Sequence, residues 1–239
     1  MTDRRAPTPN RLTTPRAAAL AGVLFAILFG TALVLLRSAT PDGGGPGSQW
    51  VDGAEGRLRV AALLMPFAGI TFLWFIGVVR DGLGRFEDRF FATVFLGSGL
   101  LFLAMMFASS AVGAGLVASR RLESDTAAHD EVVAFGQALL VTLSNTYALR
   151  MAAVFMMSLA TIWLKTRLMP KWLVFGTYRL AVGLLIASDV SMWITLAFPF
   201  WVLVVSLLVL NRAGVIDLDP RAEPPRDLTS GAAPRPDTT

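Results

Sequence analysis

Residues 17–36 read AAALAGVLFAILFGTALVLL, a run with no charge, no amide and no proline. At a helical rise of 1.5 Å per residue it is about 30 Å long, the thickness of a bilayer's hydrocarbon core. It is too long for the apolar region of a cleaved signal peptide, which takes about 7–15 residues. A tail of polar residues precedes it, and Arg37 follows where small residues would mark a cleavage site. The Arg4-Arg5 pair lacks the apolar context of a twin-arginine signal. The stretch reads as a span that is kept.

Working outward, the rest of the chain is built the same way. Of its 239 residues, 54% are hydrophobic and only 16% charged, with a mean hydropathy of +0.60. Soluble domains carry roughly 25% charged residues, so much of this surface is made for lipid. Further apolar runs cover about 60–79, 90–117, 132–164 and 172–210. The last would be about 58 Å long as one helix, nearly twice the core thickness. It therefore holds two spans, 172–189 and 192–210, reversing near Asp189-Val190-Ser191. The run 132–164 is also too long for one straight crossing. Ser144-Asn145-Thr146 offers a break, giving an interfacial or protruding segment over about 127–143 and a span over 145–164. One long tilted helix is the alternative. The third run tilts or protrudes, and Pro66 and Pro199 can kink the helices that hold them.

The fold class is accordingly all-α: a polytopic transmembrane bundle of about six helices, spanning 17–36, 60–79, 90–117, 145–164, 172–189 and 192–210. Residues 1–16 and 212–239, rich in proline, read as disordered tails. Residues 37–57, with Pro41 and Gly43 to Gly47, read as a flexible loop in which Trp50 marks the interface. A charged turn, Asp81 to Arg89, and a basic turn, Lys165 to Lys171, make two further connections.

Arginine and lysine set the threading. With the N-terminus inside, fourteen of them fall in cytoplasmic segments and five in outer loops. This predicts an N-in, C-in arrangement with both tails cytoplasmic. Arginine outnumbers lysine nineteen to two, a bias of GC-rich bacterial genomes, so the expected location is a bacterial plasma membrane.

Composition also bounds the chemistry. The chain has no cysteine and one histidine, His129. Thiolate nucleophiles, disulfides and histidine-rich metal sites are excluded. No catalytic, cofactor or metal residues are assigned, and no cofactor is expected. The net charge of +4 comes from basic residues flanking apolar runs, which points to lipid headgroups and away from nucleic acid. Expected partners are the lipid bilayer and a second copy or another membrane protein.

Polar groups inside spans carry the site expectations, because a charge at mid-helix costs about 2.5–3.5 kcal/mol on insertion scales. Arg150, Arg179 and Asp189 are such groups. Arg150 and Asp189 fall at similar depth on neighbouring antiparallel spans, which predicts an ion pair across the helix interface. The other reading has Asp189 capping the turn while Arg150 snorkels outward. Arg179 is read as snorkelling, and Tyr147 and Tyr178 as aromatic anchors. Asn145 either joins Arg150 in a polar site or caps a break. In the first span Ala18, Gly22, Ala26 and Gly30 recur every four residues, a helix-packing face for a neighbouring helix or a second copy.

Gly77-Val78-Val79-Arg80-Asp81-Gly82-Leu83-Gly84-Arg85 has the form G-x-x-x-D-x-x-G-R. It resembles the cytoplasmic loop motif between helices two and three of major facilitator transporters. The resemblance implies a tight turn at the glycines, Asp81 as a cap and Arg85 as a gate charge. It covers nine residues, and Phe86 stands where that family often has a second basic residue. With half the usual helices, it would imply a half-size transporter acting as a dimer. More broadly, Pro66 to Gly69, Asp88 to Phe95, Arg150 to Met157 and Leu168 to Leu173 resemble an integral membrane protein family of actinobacteria without an established activity. That resemblance implies membrane localisation and no particular reaction.

The expected function is a non-catalytic membrane partner or scaffold, and not an enzyme. A small transporter or channel-like protein is the alternative.

Overall fold

Helix formation in this chain runs past the apolar stretches that nucleate it, and the proline and glycine cluster at 41–47 falls between the first helix and the second. The structure is a computed structural model, and it describes residues 14–39, 49–83, 89–119, 126–167, 169–187 and 192–212. Helix α1 covers Thr14–Ala39, α2 Gln49–Leu83 and α3 Arg89–Ser119. A continuous rod follows, made of α4 Thr126–Val141, a π-helical segment Thr142–Ala148 and α5 Leu149–Thr166. Helix α6 is Lys171–Ala187. A 3₁₀ turn, Met192–Leu196, leads into α7, Ala197–Arg212. The described residues are all-helical, with no strand among them.

Five stretches are long and apolar enough to cross a membrane: Ala19–Ala39, Gly53–Arg80, Phe90–Ser119, Asp130–Thr166 and Trp193–Asn211. Helix α6 is equally apolar but has 17 residues, about 26 Å of helix, at the short end of the range for a span.

Several expected boundaries move. The first helix starts at Thr14, inside the expected tail, because proline is tolerated in a first turn, where its missing N–H has no intrahelical partner. Pro15 occupies that turn. At the other end α1 continues through Arg37 and Ser38 to Ala39, and α2 begins at Gln49. The expected loop 37–57 is thus helical at both ends. The expected turn Asp81 to Arg89 narrows likewise, since α2 runs to Leu83 and α3 starts at Arg89. Ser144-Asn145-Thr146 is not a break. The chain widens there into a π-helix and carries on, as the one-helix alternative required. Residues 172–210 do form two helices, but their connection, including Asp189, lies outside the described residues, as do 1–13 and 213–239.

Helix α1 lies along α2 and α7, α3 packs against α2 and α5, and α5 packs against α6. Aromatic rings fill the centre. Phe72 of α2 has ring neighbours on four other helices: Phe25 at 4.6 Å, Phe102 at 5.6 Å, Phe155 at 5.4 Å and Phe198 at 5.9 Å between centroids. All five rings are buried. Such tilted and edge-on pairs add about 0.5–1.5 kcal/mol each beyond their area. Phe198 enters beside Pro199, where the 3₁₀ turn gives way to α-helix. Glycine allows the closest approach at Gly22: a Cβ there would lie 2.0 Å from Ser206 Oγ of α7 and 2.8 Å from Phe75 of α2.

The connection between α5 and α6 is tight. Arg167 adopts φ 53°, a left-handed C-cap, and the Pro170 carbonyl accepts the N–H groups of Leu173 and Val174. At this same end Lys165 Nζ sits 4.4 Å from the Phe91 ring centroid, a cation–π contact between α5 and α3. The opposite end of the bundle holds a second small core, formed by Leu36, Ala39, Ala54, Leu58, Ala61 and Leu140. The start of α2 and the end of α4 meet there with the end of α1. The expected separate segment of about 127–143 is helical and continuous with the residues that follow it.

Candidate functional site

The polar centre of the bundle is at Arg37, a residue whose place in the sequence reads as the start of a loop. No proline or glycine follows it until Pro41, so α1 keeps its helical course and carries the side chain inward. Arg37 is 3% exposed. Its Nη2 donates to Ser144 Oγ at 3.0 Å and to Asn145 Oδ1. Both acceptors are buried and both belong to the π-helical segment. A cation in the last turn of a helix also suits the negative end of its dipole.

The π-helix is tied down by hydroxyl groups. Its wider turn shifts backbone bonding from i+4 to i+5, and at its entrance the Leu140 carbonyl accepts from two side chains. Ser144 Oγ donates to it at 2.8 Å, and Ser109 Oγ, from α3, at 3.0 Å. Arg37, Ser109, Ser144 and Asn145 therefore form one layer joining α1, α3 and the fourth rod. Each lies roughly 30 Å, or about 20 residues of helical rise, from the opposite end of its helix. The layer separates the aromatic core from the second small core.

The expected site residues are not assembled as the sequence reading had them. Asn145 bonds Arg37 and neither joins Arg150 nor caps a break. Arg150 is half-buried, and its Nη1 donates to the Thr146 carbonyl of its own rod at 3.3 Å. Its proposed partner Asp189 lies outside the described residues. Arg179 is exposed on α6, while the adjacent Tyr178 hydroxyl is 2.6 Å from Thr161 Oγ1 on α5. That bond makes Tyr178 a helix-to-helix contact. Tyr147 is exposed. On α6 and α7, Trp201 Nε1 donates to Thr177 Oγ1 at 2.9 Å.

The small-residue face of α1 is divided. Gly22 packs inside the bundle, and Ala26 is buried with it. A Cβ on Gly30 would meet nothing within 4 Å, and the Ala18 side chain lies outside the described residues. The loop motif is not a loop over most of its length. Gly77 is exposed in mid-helix, and Asp81 and Gly82 are still within α2. Gly84 and Arg85 lie outside the described residues.

Arg37, Ser109 and Ser144 went unread in the sequence. One signal was present: α1 buries Phe25, Phe29, Ala32, Leu33 and Leu36, and that face, continued by helical spacing, reaches Arg37. Between α2 and α3, near this layer, an open groove of about 280 Å³ is lined by Arg59, Ala62, Ala114, Val117 and Ala118. Arg59 pairs with Glu55 at 2.7 Å there, in the open. Among the described residues no group of histidine, aspartate and glutamate is placed to hold a metal ion.

Chemically, a guanidinium held by a hydroxyl and an amide is a clasp. Arginine stays protonated and the other two groups neither give nor take a proton at neutral pH. The fold and this layer define a class, the all-α membrane bundle with a buried polar clasp. Comparison with family models, curated proteins and solved structures returned no match.

Proposed function

We propose that this chain is a non-catalytic membrane partner or scaffold, threaded six times through a bacterial plasma membrane with both ends in the cytoplasm. The observation that carries the reading is the filled centre. Five mutually packed phenylalanines occupy the axis where a pathway would run. The buried cation is engaged by groups of the same chain, so the interior is spent on holding helices together. Helix α6, short as it is, supplies the extra crossing that returns the C-terminus to the side of the N-terminus. Recognition then falls to the outer faces of the helices and to the protruding end.

The test is reconstitution of the full chain in proteoliposomes with a panel of ions, amino acids, sugars and drug-like cations. The expected result is no flux above protein-free vesicles. Flux that disappears in Arg37→Gln would replace this reading with the second one, a small transporter or channel-like protein working singly or as a dimer. The observation favouring that second reading is the π-helix itself, since π-turns inside helices frequently occur at functional sites. The threading has its own check: a fluorescent reporter fused after Leu210 should mature in the cytoplasm.

A further inference from the structure

Helix α6 presents one face that the bundle does not use. Phe175, Gly176, Arg179, Val182, Gly183 and Ile186 recur at three- and four-residue spacing, and all six are exposed. Arg179 stands at the midpoint of the helix, eight residues from Lys171 and eight from Ala187, about 12 Å from either end. Among the described residues no hydrogen bond or ion pair holds it, in contrast to Arg37 and Arg150. The glycines flank it at i−3 and i+4, and a Cβ on either would meet nothing within 4 Å.

A charge in mid-span is unfavourable against lipid and is normally paired within the membrane. Here the residues beside it are the kind that let a second helix backbone come close. We propose that this face of α6 docks a transmembrane helix of a different protein, one that carries an aspartate or glutamate near mid-bilayer. The inference rests on the reading of α6 as a span and of the chain as a membrane partner. A second copy of this chain is the poorer occupant. A two-fold contact through this face would bring two Arg179 side chains together, and like charges repel strongly in so dry a setting. A phospholipid headgroup is the other competitor, and it has no use for the open glycines.

The probe is a synthetic leucine-rich transmembrane peptide with a single central glutamate, mixed with the full chain in phosphatidylcholine vesicles and followed by energy transfer. The expected result is saturable association, at least threefold tighter than for the same peptide with glutamine. Arg179→Gln should abolish that preference, Arg179→Lys should keep part of it, and Gly176→Leu with Gly183→Leu should weaken binding with Arg179 intact. Equal binding of the two peptides, or a preference that survives Arg179→Gln, overturns the proposal. So does self-association of the chain through this face, or photocrosslinking from position 182 that yields lipid adducts alone. Retained thermal stability in detergent shows that each variant is folded. Because the chain has no cysteine, Arg179→Cys can be read with a membrane-impermeant maleimide. Rapid labelling would remove α6 from the bilayer and with it the reading beneath; protection without peptide preference would remove the docking alone.

Discussion

The interior of this bundle holds two regions of opposite character. Around Phe72 five rings from five helices meet without a polar atom among them, and their cohesion depends on volume and shape. Around Arg37, α1 is joined to the fourth rod by directed bonds to Ser144 and Asn145, with Ser109 of α3 alongside. The first region should tolerate exchange for another apolar group of similar size. The second should not tolerate an apolar group, because Ser144 Oγ and Asn145 Oδ1 would then lose the one donor they share, Arg37 Nη2. The difference assigns strength to one region and helix register to the other.

The sharpest way to break this contrast is to empty the aromatic centre. Phe72→Ala is expected to lower stability by about 3–5 kcal/mol, the usual cost of a large cavity, whereas Phe72→Leu should cost clearly less; denaturant unfolding in detergent micelles reads both. Next in size is Arg37→Met, which removes bonds to a charged group worth about 1.5–3 kcal/mol. Adding Ser144→Ala and Asn145→Leu to it should recover part of the loss, since apolar replacements of a whole buried polar set are better tolerated than an orphaned half. No recovery in the triple variant would mean that the layer acts through something other than its own pairing. Smaller again is Gly22→Ala, expected to cost about 1–3 kcal/mol through crowding against Ser206 and Phe75. Gly30→Ala should be neutral or gain up to about 1 kcal/mol of helix propensity. A reversed order in melting temperatures would move the packing face of α1 to the other glycine. Tyr178→Phe should be mildest, about 0.5–1.5 kcal/mol for one neutral hydrogen bond to Thr161, measured in the same unfolding assay.

Much of the architecture was legible because bilayer thickness is a strong ruler. The apolar runs at 17–36, 60–79, 90–117 and 172–210 each correspond to helices, the last to two. Boundaries were less legible, since helices continue past the apolar residues and hydropathy does not report where they stop. Arg37 and the stretch 49–59 were lost to the loop for this reason. The site was the least legible part. Arg150 drew attention because it interrupts an apolar run, yet a long side chain can turn back along its own helix, as its bond to Thr146 does. Arg37 drew none because it stands at the edge of a run, where arginine is ordinary. Its burial comes from the last turn of α1 meeting α3 and the π-helical segment, which bring Ser144, Asn145 and Ser109 together around it, and such a meeting is a tertiary fact. Asn145 was singled out as a partner of Arg150 or a cap at a break, and it bonds Arg37 instead.

The π-helical segment has a consequence for how the fourth rod can change. A stretch wound this way holds one more residue than an α-helix joining the same two faces, and each α-helical residue turns the chain by about 100°. Deleting a single residue between 142 and 148 should therefore leave the angular phase of Leu140 and of Phe155 nearly where it is, while the same deletion in Leu149–Thr166 would swing every later side chain away from its neighbour. The surplus residue sits in the same seven-residue segment as the pair of acceptors, Ser144 and Asn145, that meet Arg37 of α1.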